Sequence, residues 1–278
     1  MNREKQDLLL QVQDISILFG GLSAVSGFSC ELSRGELVGL IGPNGAGKTT
    51  VFNMLSGLYT PTGGNIHYWD RNGRVHILGK LSPARLNRIG IGRTFQNIRL
   101  FSNLTVEDNV RIALHAGRRE SPVDVLFRLP RFYRDEARMI KETGELLDLF
   151  RIAHKKHELA KNLPYGEQRK LEIARALAAG PQLLLLDEPA AGMNPQETGE
   201  LMRLISLIRK QFHLTILLIE HDMHLVMGIC ERLLVLDYGR TIAEGLPENI
   251  RRDPAVIKAY LGDDAVNEGL AVGEGSHG

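Results

Sequence analysis

From Ile41 to Thr50 the chain reads IGPNGAGKTT, and the stretch from Gly42 to Thr49 fits G-x-x-x-x-G-K-[ST] at every fixed position. That pattern cradles phosphate. Gly42, Gly45 and Gly47 let successive N–H groups turn toward one anion, and the start of the following helix adds its positive dipole end. Lys48 would reach β- and γ-phosphates and the Thr49 hydroxyl would take Mg²⁺, with Pro43, Asn44, Ala46 and Thr50 completing the loop. A second cluster, Leu183-Leu184-Leu185-Leu186-Asp187-Glu188, is an apolar run ending in two carboxylates. Asp187 is placed to share the metal, and Glu188 to accept a proton from an attacking water. A strand that merely meets solvent has the same appearance, and it is the phosphate loop that favours chemistry. Ile219-Glu220-His221-Asp222 repeats the arrangement, putting His221 at a strand end where imidazole could contact the γ-phosphate; an isolated histidine there is more often structural.

These residues need elements to hold them. Glu36 to Ile41 is a short, largely apolar strand ahead of the loop, and residues 49–58 can wind as the helix behind it. The first hundred residues suggest further strands at 8–19, 28–32, 65–68 and 89–95, punctuated by Gly20-Gly21 and Gly63-Gly64. From Thr105 the period changes. Apolar residues three and four apart at 106–115, 133–150 and 165–179 indicate a helical block, after which apolar strands at 183–186, 216–219 and 233–236 alternate with helical stretches. Alternation of that kind indicates a mostly parallel sheet with crossover helices, an α/β fold. Past Leu261 the chain is Gly-rich and short of large apolar groups, a composition expected of a tail.

The 278 residues, 43% of them hydrophobic, suffice for a large core. Thirty-four Lys plus Arg against thirty-three Asp plus Glu leave a formal charge of +1, which points away from nucleic acid as a partner. No apolar stretch approaches the roughly 20 residues that span a bilayer, and the polar start followed by an alternating pattern argues against a signal peptide. The expectation is therefore a cytoplasmic chain. Cys30 and Cys230, without a CxxC, read as reduced buried thiols. Between Gly117 and Lys141 six arginines interleave with Phe127, Phe132 and Tyr133, but Glu120, Asp124, Asp135 and Glu136 lie among them. A solvated helical face or a docking surface accounts for this mixture better than headgroup or nucleic-acid binding.

Leu163-Pro164-Tyr165-Gly166-Glu167-Gln168, preceded by Asn162 and followed by Arg169 and apolar positions at Leu171, Ala174 and Leu177, resembles the signature of ABC-type ATPases, whose usual form is LSGGQ. With the other motifs, the resemblance covers nearly the whole chain in the expected order. It implies a P-loop ABC-type ATPase with a RecA-like core, an antiparallel β subdomain and an inserted helical subdomain. The corresponding boundaries are a core at about 1–98 and 181–245, a helical subdomain at about 99–180, C-terminal helices at about 246–261 and a flexible tail at 262–278. The resemblance also implies ATP and Mg²⁺, Phe19 stacked on adenine, Gln96 of Arg93-Thr94-Phe95-Gln96 contacting Mg²⁺ and water, and His221 as the switch histidine. Thr49, Gln96 and Asp187 would be the metal ligands, and the signature residues would touch ATP held by a second subunit. Two positions depart from the pattern. Pro164 stands where the family has Ser, leaving the Tyr165 and Gly166 backbone donors for phosphate, and Asn194 stands where Asp is usual.

GPNGAGKTTVFN, GRTFQNIRLF, LEIARAL, LLLLDEPAAGMNP, LLIEHDMHLVMGI and PAVIKAYLG are similar to the ATP-binding subunits of high-affinity branched-chain amino-acid importers. That likeness implies two membrane permease subunits, a second ATP-binding subunit in a homo- or heterodimer, a substrate-binding protein reached indirectly, and a peripheral position on the cytoplasmic face of the inner membrane. Urea import, lipopolysaccharide export and a soluble iron-sulfur assembly ATPase are the alternatives within the superfamily.

Overall fold

The computed structural model describes residues 7–116 and 130–261. Its strands are β1 (Leu8–Phe19), β2 (Leu22–Ser33), β3 (Leu37–Ile41), β4 (Gly63–Trp69), β5 (Val75–Ile77), β6 (Ile91–Arg93), β7 (Leu183–Asp187), β8 (Thr215–Ile219), β9 (Arg232–Asp237) and β10 (Arg240–Gly245). The helices are α1 (Lys48–Leu55), α2 (Pro83–Ile89), α3 (Val106–Ala116), α4 (Pro130–Leu149), α5 (Tyr165–Ala178), α6 (Pro195–Phe212), α7 (Met223–Ile229), α8 (Pro247–Ile250) and α9 (Pro254–Leu261). Described residues up to Leu81 and from Thr215 onward form one compact unit, and Ser82–Leu214 forms another.

In the first unit, β1, β2, β4 and β5 make an antiparallel sheet in the order β2-β1-β4-β5. β1 buries Leu10 and Val12 and, past an irregularity at Gln13 and Asp14, Ile15 and Ile17, with less buried residues between them, the alternation of a sheet with one covered face. The strand expected at 28–32 is the end of a longer one. Ser23, Ser26 and Gly27 weaken its apolar signal, yet pairing with β1 runs from Leu22 to Ser33. β3 runs parallel to both β8 and β9, and β10 returns antiparallel along β9. Every residue of β3 and β8 is buried. A parallel strand covered on both faces has no polar side to show, hence its uninterrupted apolar sequence.

In the second unit, β6 and β7 pair in parallel, with Arg93 opposite Leu185. The strand expected at 89–95 shrinks to Ile91–Arg93. Ser82-Pro83 opens α2, and Gly90 at φ 103° closes it in a left-handed conformation that only glycine adopts without strain, so Ile89 belongs to a helix. α3 packs on α4 and α5 through Val106, Val110 and Leu114. α5 buries Leu171, Ala174 and Leu177, the spacing read from the sequence. On the described part of the arginine-rich segment, Arg138 pairs with Glu142 at 2.8 Å and Arg111 with Glu136 at 3.4 Å, as on a solvated helical face. Residues 117–129 and the tail at 262–278 lie outside the described residues.

Candidate nucleotide site

Local geometry in the first unit follows from the register of β3 and β8. Leu40 pairs with Ile219, so Gly42 and His221, each two residues further on, leave adjacent parallel strands at one level. Ligands of α/β sheets bind beyond such carboxyl ends. Gly42, Gly45 and Gly47 all have positive φ (146°, 81° and 101°). At Gly42 a Cβ would stand 2.0 Å from the Leu236 carbonyl oxygen, so no side chain fits. The buried Lys48 donates from Nζ to the carbonyls of Gly42 at 2.7 Å and Pro43 at 2.9 Å, bracing the loop. Ala46 is held by the Gly239 N–H at 2.9 Å, while Asn44, Gly45 and Thr49 are exposed. α1 begins with no side-chain cap and no acidic residue in its first turn, which leaves its N-terminal N–H groups open to an anion.

Phe19 closes β1 and is 42% exposed, with a broad ring face on offer to a planar ligand. Tyr59 meets it edge-on at 5.2 Å, a companion that sequence alone does not suggest because the two come from separate turns. The His221 side chain is 61% exposed, its Nδ1 3.9 Å from the buried Glu220 carboxylate.

In the second unit the same register logic applies. Arg93 lies opposite Leu185, so Gln96 and Glu188, three residues beyond, arrive together, and Gln96 Nε2 donates to Glu188 Oε2 at 2.9 Å. Glu188 has φ 45°, a left-handed conformation in a non-glycine residue that costs about 1–3 kcal/mol and marks a position held by its surroundings. Asp187 is buried and accepts from Arg93 Nη2 at 3.0 Å. Burial raises the Asp187 carboxyl above its ordinary range, opposed by Arg93. Burial likewise lowers Arg93, opposed by Asp187. Within this unit the carboxylate of Asp187 and the amide oxygen of Gln96 are hard oxygen donors, the chemistry that suits Mg²⁺.

The signature lies at the start of α5. Pro164 is the N-cap residue at φ −53°, and its carbonyl accepts from the N–H groups of Glu167 and Gln168, both at 3.0 Å. Leu163 is buried and its carbonyl takes the Gln168 amide at 2.8 Å. Glu167 pairs with Lys155 at 2.6 Å, whereas Tyr165 is 44% exposed and Gly166 is buried against Glu197. Asn194 has a local explanation that its departure from the family pattern did not suggest. It caps α6, accepting from the Glu197 N–H at 3.0 Å while Glu197 Oε2 accepts from the Asn194 N–H at 3.1 Å.

Sequence reading did not single out Arg169 or Glu172 as site residues. The Arg169 side chain is 1% exposed and donates to the Phe95 carbonyl at 2.6 Å, to the Gln96 carbonyl and to Glu172 at 2.9 Å. Glu172 in turn accepts from the backbone N–H of Arg99 at 3.2 Å. The loop carrying Gln96 is thereby tied to the signature helix. Charged residues at i and i+3 amid apolar helix positions are the signal that marks such a buried pair.

Among the described residues no cluster of three or more His, Cys, Asp or Glu is arranged to hold a metal, and no helix is long and apolar enough to cross a membrane. A family model described as ABC transporter matches residues 25–191, and one described as Branched-chain amino acid ATP-binding cassette transporter matches 240–266. LivG of Salmonella typhimurium strain LT2, a high-affinity branched-chain amino acid transport ATP-binding protein, is 47% identical over 92% of this chain and 98% of its own length. BraF of Pseudomonas aeruginosa, of the same description, is 44% identical with the same coverage. Among solved structures, the ADP conformation of an ATP-binding cassette of an ABC transporter aligns with TM-score 0.78 and 29% identity over 92% of this chain and 99% of that one. The fold is thus the α/β P-loop ATPase class expected from the sequence. With its phosphate loop, its signature helix and its paired carboxylates in this order, the chain belongs to the ABC transporter family as one of its ATP-binding and ATP-hydrolysing cassettes.

Proposed function

We propose that this chain energises a high-affinity importer of branched-chain amino acids from the cytoplasmic face of the inner membrane. The cargo assignment is supported by the 47% identity to LivG and by the match at 240–266, a region beyond the general cassette match. Two permease subunits, a second ATP-binding subunit and a substrate-binding protein complete the assembly. The core at about 1–98 and 181–245 binds nucleotide, and the helical subdomain at about 99–180 presents the signature.

Gly42 to Thr50 hold the phosphates of ATP, and Phe19 stacks on its base. Thr49, Gln96 and Asp187 hold Mg²⁺, which when bound neutralises phosphate charge. Glu188 accepts the proton of the attacking water, Gln96 orients that water, and His221 contacts the γ-phosphate. Leu163 to Gln168 meet the nucleotide of the second ATP-binding subunit through the N–H groups at the start of α5. ATP binding closes the pair of subunits and hydrolysis releases it, so differential affinity for ATP and ADP drives the permeases between two states.

The observation that carries the catalytic reading is the 2.9 Å hydrogen bond from Gln96 to a strained Glu188 at the end of a buried strand. Glu188→Gln should retain ATP binding and lose about 10²-fold or more of the hydrolysis rate. Wild-type turnover in that variant would remove Glu188 as the base. For cargo, the test is ATPase stimulation in the reconstituted assembly by a leucine-loaded binding protein, with no response to urea-loaded protein.

A further inference from the structure

With Pro164 set at the serine of the usual signature LSGGQ, Tyr165 stands at its first glycine. An aromatic ring therefore occupies a position that the usual pattern leaves without a side chain, at the start of α5. The residue is exposed, yet the ring is held from two sides within the second unit. On one side it lies over Gly192: a Cβ on that residue, whose φ is 76°, would stand 3.4 Å from Tyr165 Cε1 and 3.8 Å from the Tyr165 hydroxyl oxygen. Gly192 belongs to the turn that follows Glu188, in which the Ala191 N–H donates to the Glu188 carbonyl at 3.2 Å and the Met193 N–H to the Ala190 carbonyl at 3.1 Å.

On the other side the Tyr165 hydroxyl accepts from Arg169 Nη2 at 3.3 Å. That same nitrogen donates to the Gln96 carbonyl, while Arg169 Nη1 is anchored on the Phe95 carbonyl at 2.6 Å and on Glu172 at 2.9 Å. The guanidinium is planar, so with one nitrogen fixed a change at Tyr165 is felt at the nitrogen that serves Gln96. Gln96 in turn donates from its side chain to Glu188 at 2.9 Å. Tyr165, Arg169, Gln96, Glu188 and the turn at Gly192 form a closed circuit of contacts, and the buried side chain of Arg169 gives its hydrogen bonds more weight than they would have in water.

We infer that Tyr165 is a positioning residue for hydrolysis, a relay through which nucleotide at the signature sets the placement of Glu188 by way of Arg169 and Gln96. The exposed face of the ring is what an arriving nucleotide meets, and the hydroxyl edge is what Arg169 holds. The inference rests on the proposed meeting of Leu163 to Gln168 with the nucleotide of a second ATP-binding subunit.

The test is steady-state ATP hydrolysis by the assembly reconstituted with its permeases, comparing wild type with Tyr165→Phe, which keeps the ring over Gly192 and removes only the hydroxyl. The expected result is a melting temperature within about 2 °C of wild type and an unchanged KM, with kcat lowered about three- to tenfold by the loss of one long hydrogen bond. The Hill coefficient for ATP should fall from above 1 toward 1 as the two nucleotides lose their link. Adding Tyr165→Phe to the paired variant Arg169→Met with Glu172→Leu should lower kcat by no more than about twofold further, because the hydroxyl then has no guanidinium to hold. An unchanged kcat or an unchanged Hill coefficient in Tyr165→Phe overturns the relay, as does a wild-type Hill coefficient of 1. A fall in kcat by the same factor in both backgrounds overturns it too, since the hydroxyl would then act without Arg169. A larger loss of melting temperature would mark a merely structural role and has the same consequence. Gly166→Asp separates this proposal from the reading beneath it: an inactive Gly166→Asp beside a fully active Tyr165→Phe refutes the relay alone, whereas wild-type turnover in Gly166→Asp refutes both.

Discussion

Replacing Arg169 with alanine should destabilise this protein more than any surface change. The guanidinium is buried and serves the carbonyls of Phe95 and Gln96 and the carboxylate of Glu172, with a weaker contact to the Tyr165 hydroxyl at 3.3 Å. Truncation leaves two carbonyls short of a donor and Glu172, 2% exposed, as a buried charge without its counter-ion. Breaking a buried pair from one side costs about 3–5 kcal/mol. For a chain of this size that translates to a fall in melting temperature of about 6–20 °C, at about 2–4 °C per kcal/mol. Thermal unfolding followed by circular dichroism measures it. Arg169→Lys should fall between, since an ammonium keeps the charge but cannot span carbonyl and carboxylate with a planar fork. Converting both partners, Arg169→Met with Glu172→Leu, should recover part of the loss because no buried charge is left over. A shift under about 3 °C in Arg169→Ala would refute the reasoning, as would a double variant less stable than the single.

Four further outcomes are expected. Burial pushes the Cys30 thiol up to about 12, so it stays protonated and should resist alkylation at pH 8 in the folded protein yet react once unfolded in urea; rapid labelling of the native chain would contradict its burial. Asn194→Ala removes half of a capping box and should cost about 0.5–2 kcal/mol in urea denaturation, while Asn194→Asp should cost little. Gly42→Ala meets the Leu236 carbonyl oxygen at 2.0 Å and should abolish ATP binding in a nucleotide-fluorescence titration; retained affinity would show that the strand end can move. Gly166→Asp should abolish turnover, but a Cβ there already lies 3.1 Å from Glu197 Oε1, so the new carboxylate also repels Glu197. Gly166→Ala separates the two effects, since it adds the contact without the charge.

The glycine-rich turn between β3 and α1 was legible because eight consecutive residues carry its glycines, lysine and threonine, and an apolar strand runs just ahead of them. The buried strands β3, β7 and β8 were legible for a related reason, since burial on both faces writes an apolar run into the chain itself. Residues 28–32 and 89–95 were misjudged at their ends, where pairing with β1 extends one strand and a glycine-closed helix shortens the other.

What the chain could not disclose is which distant groups share a proton or a charge. Gln96 and Glu188 are 92 residues apart, Arg93 and Asp187 are 94 apart, and only the parallel register of β6 on β7 brings each pair within hydrogen-bonding distance. Likewise Arg169 looks like one more arginine on a helix until tertiary packing removes water from it, after which the carbonyls of Phe95 and Gln96 take over from solvent beside Glu172. Motif chemistry is set by neighbours along the backbone and can be read from them; desolvation and long-range pairing depend on how the elements pack, which no local window of sequence contains.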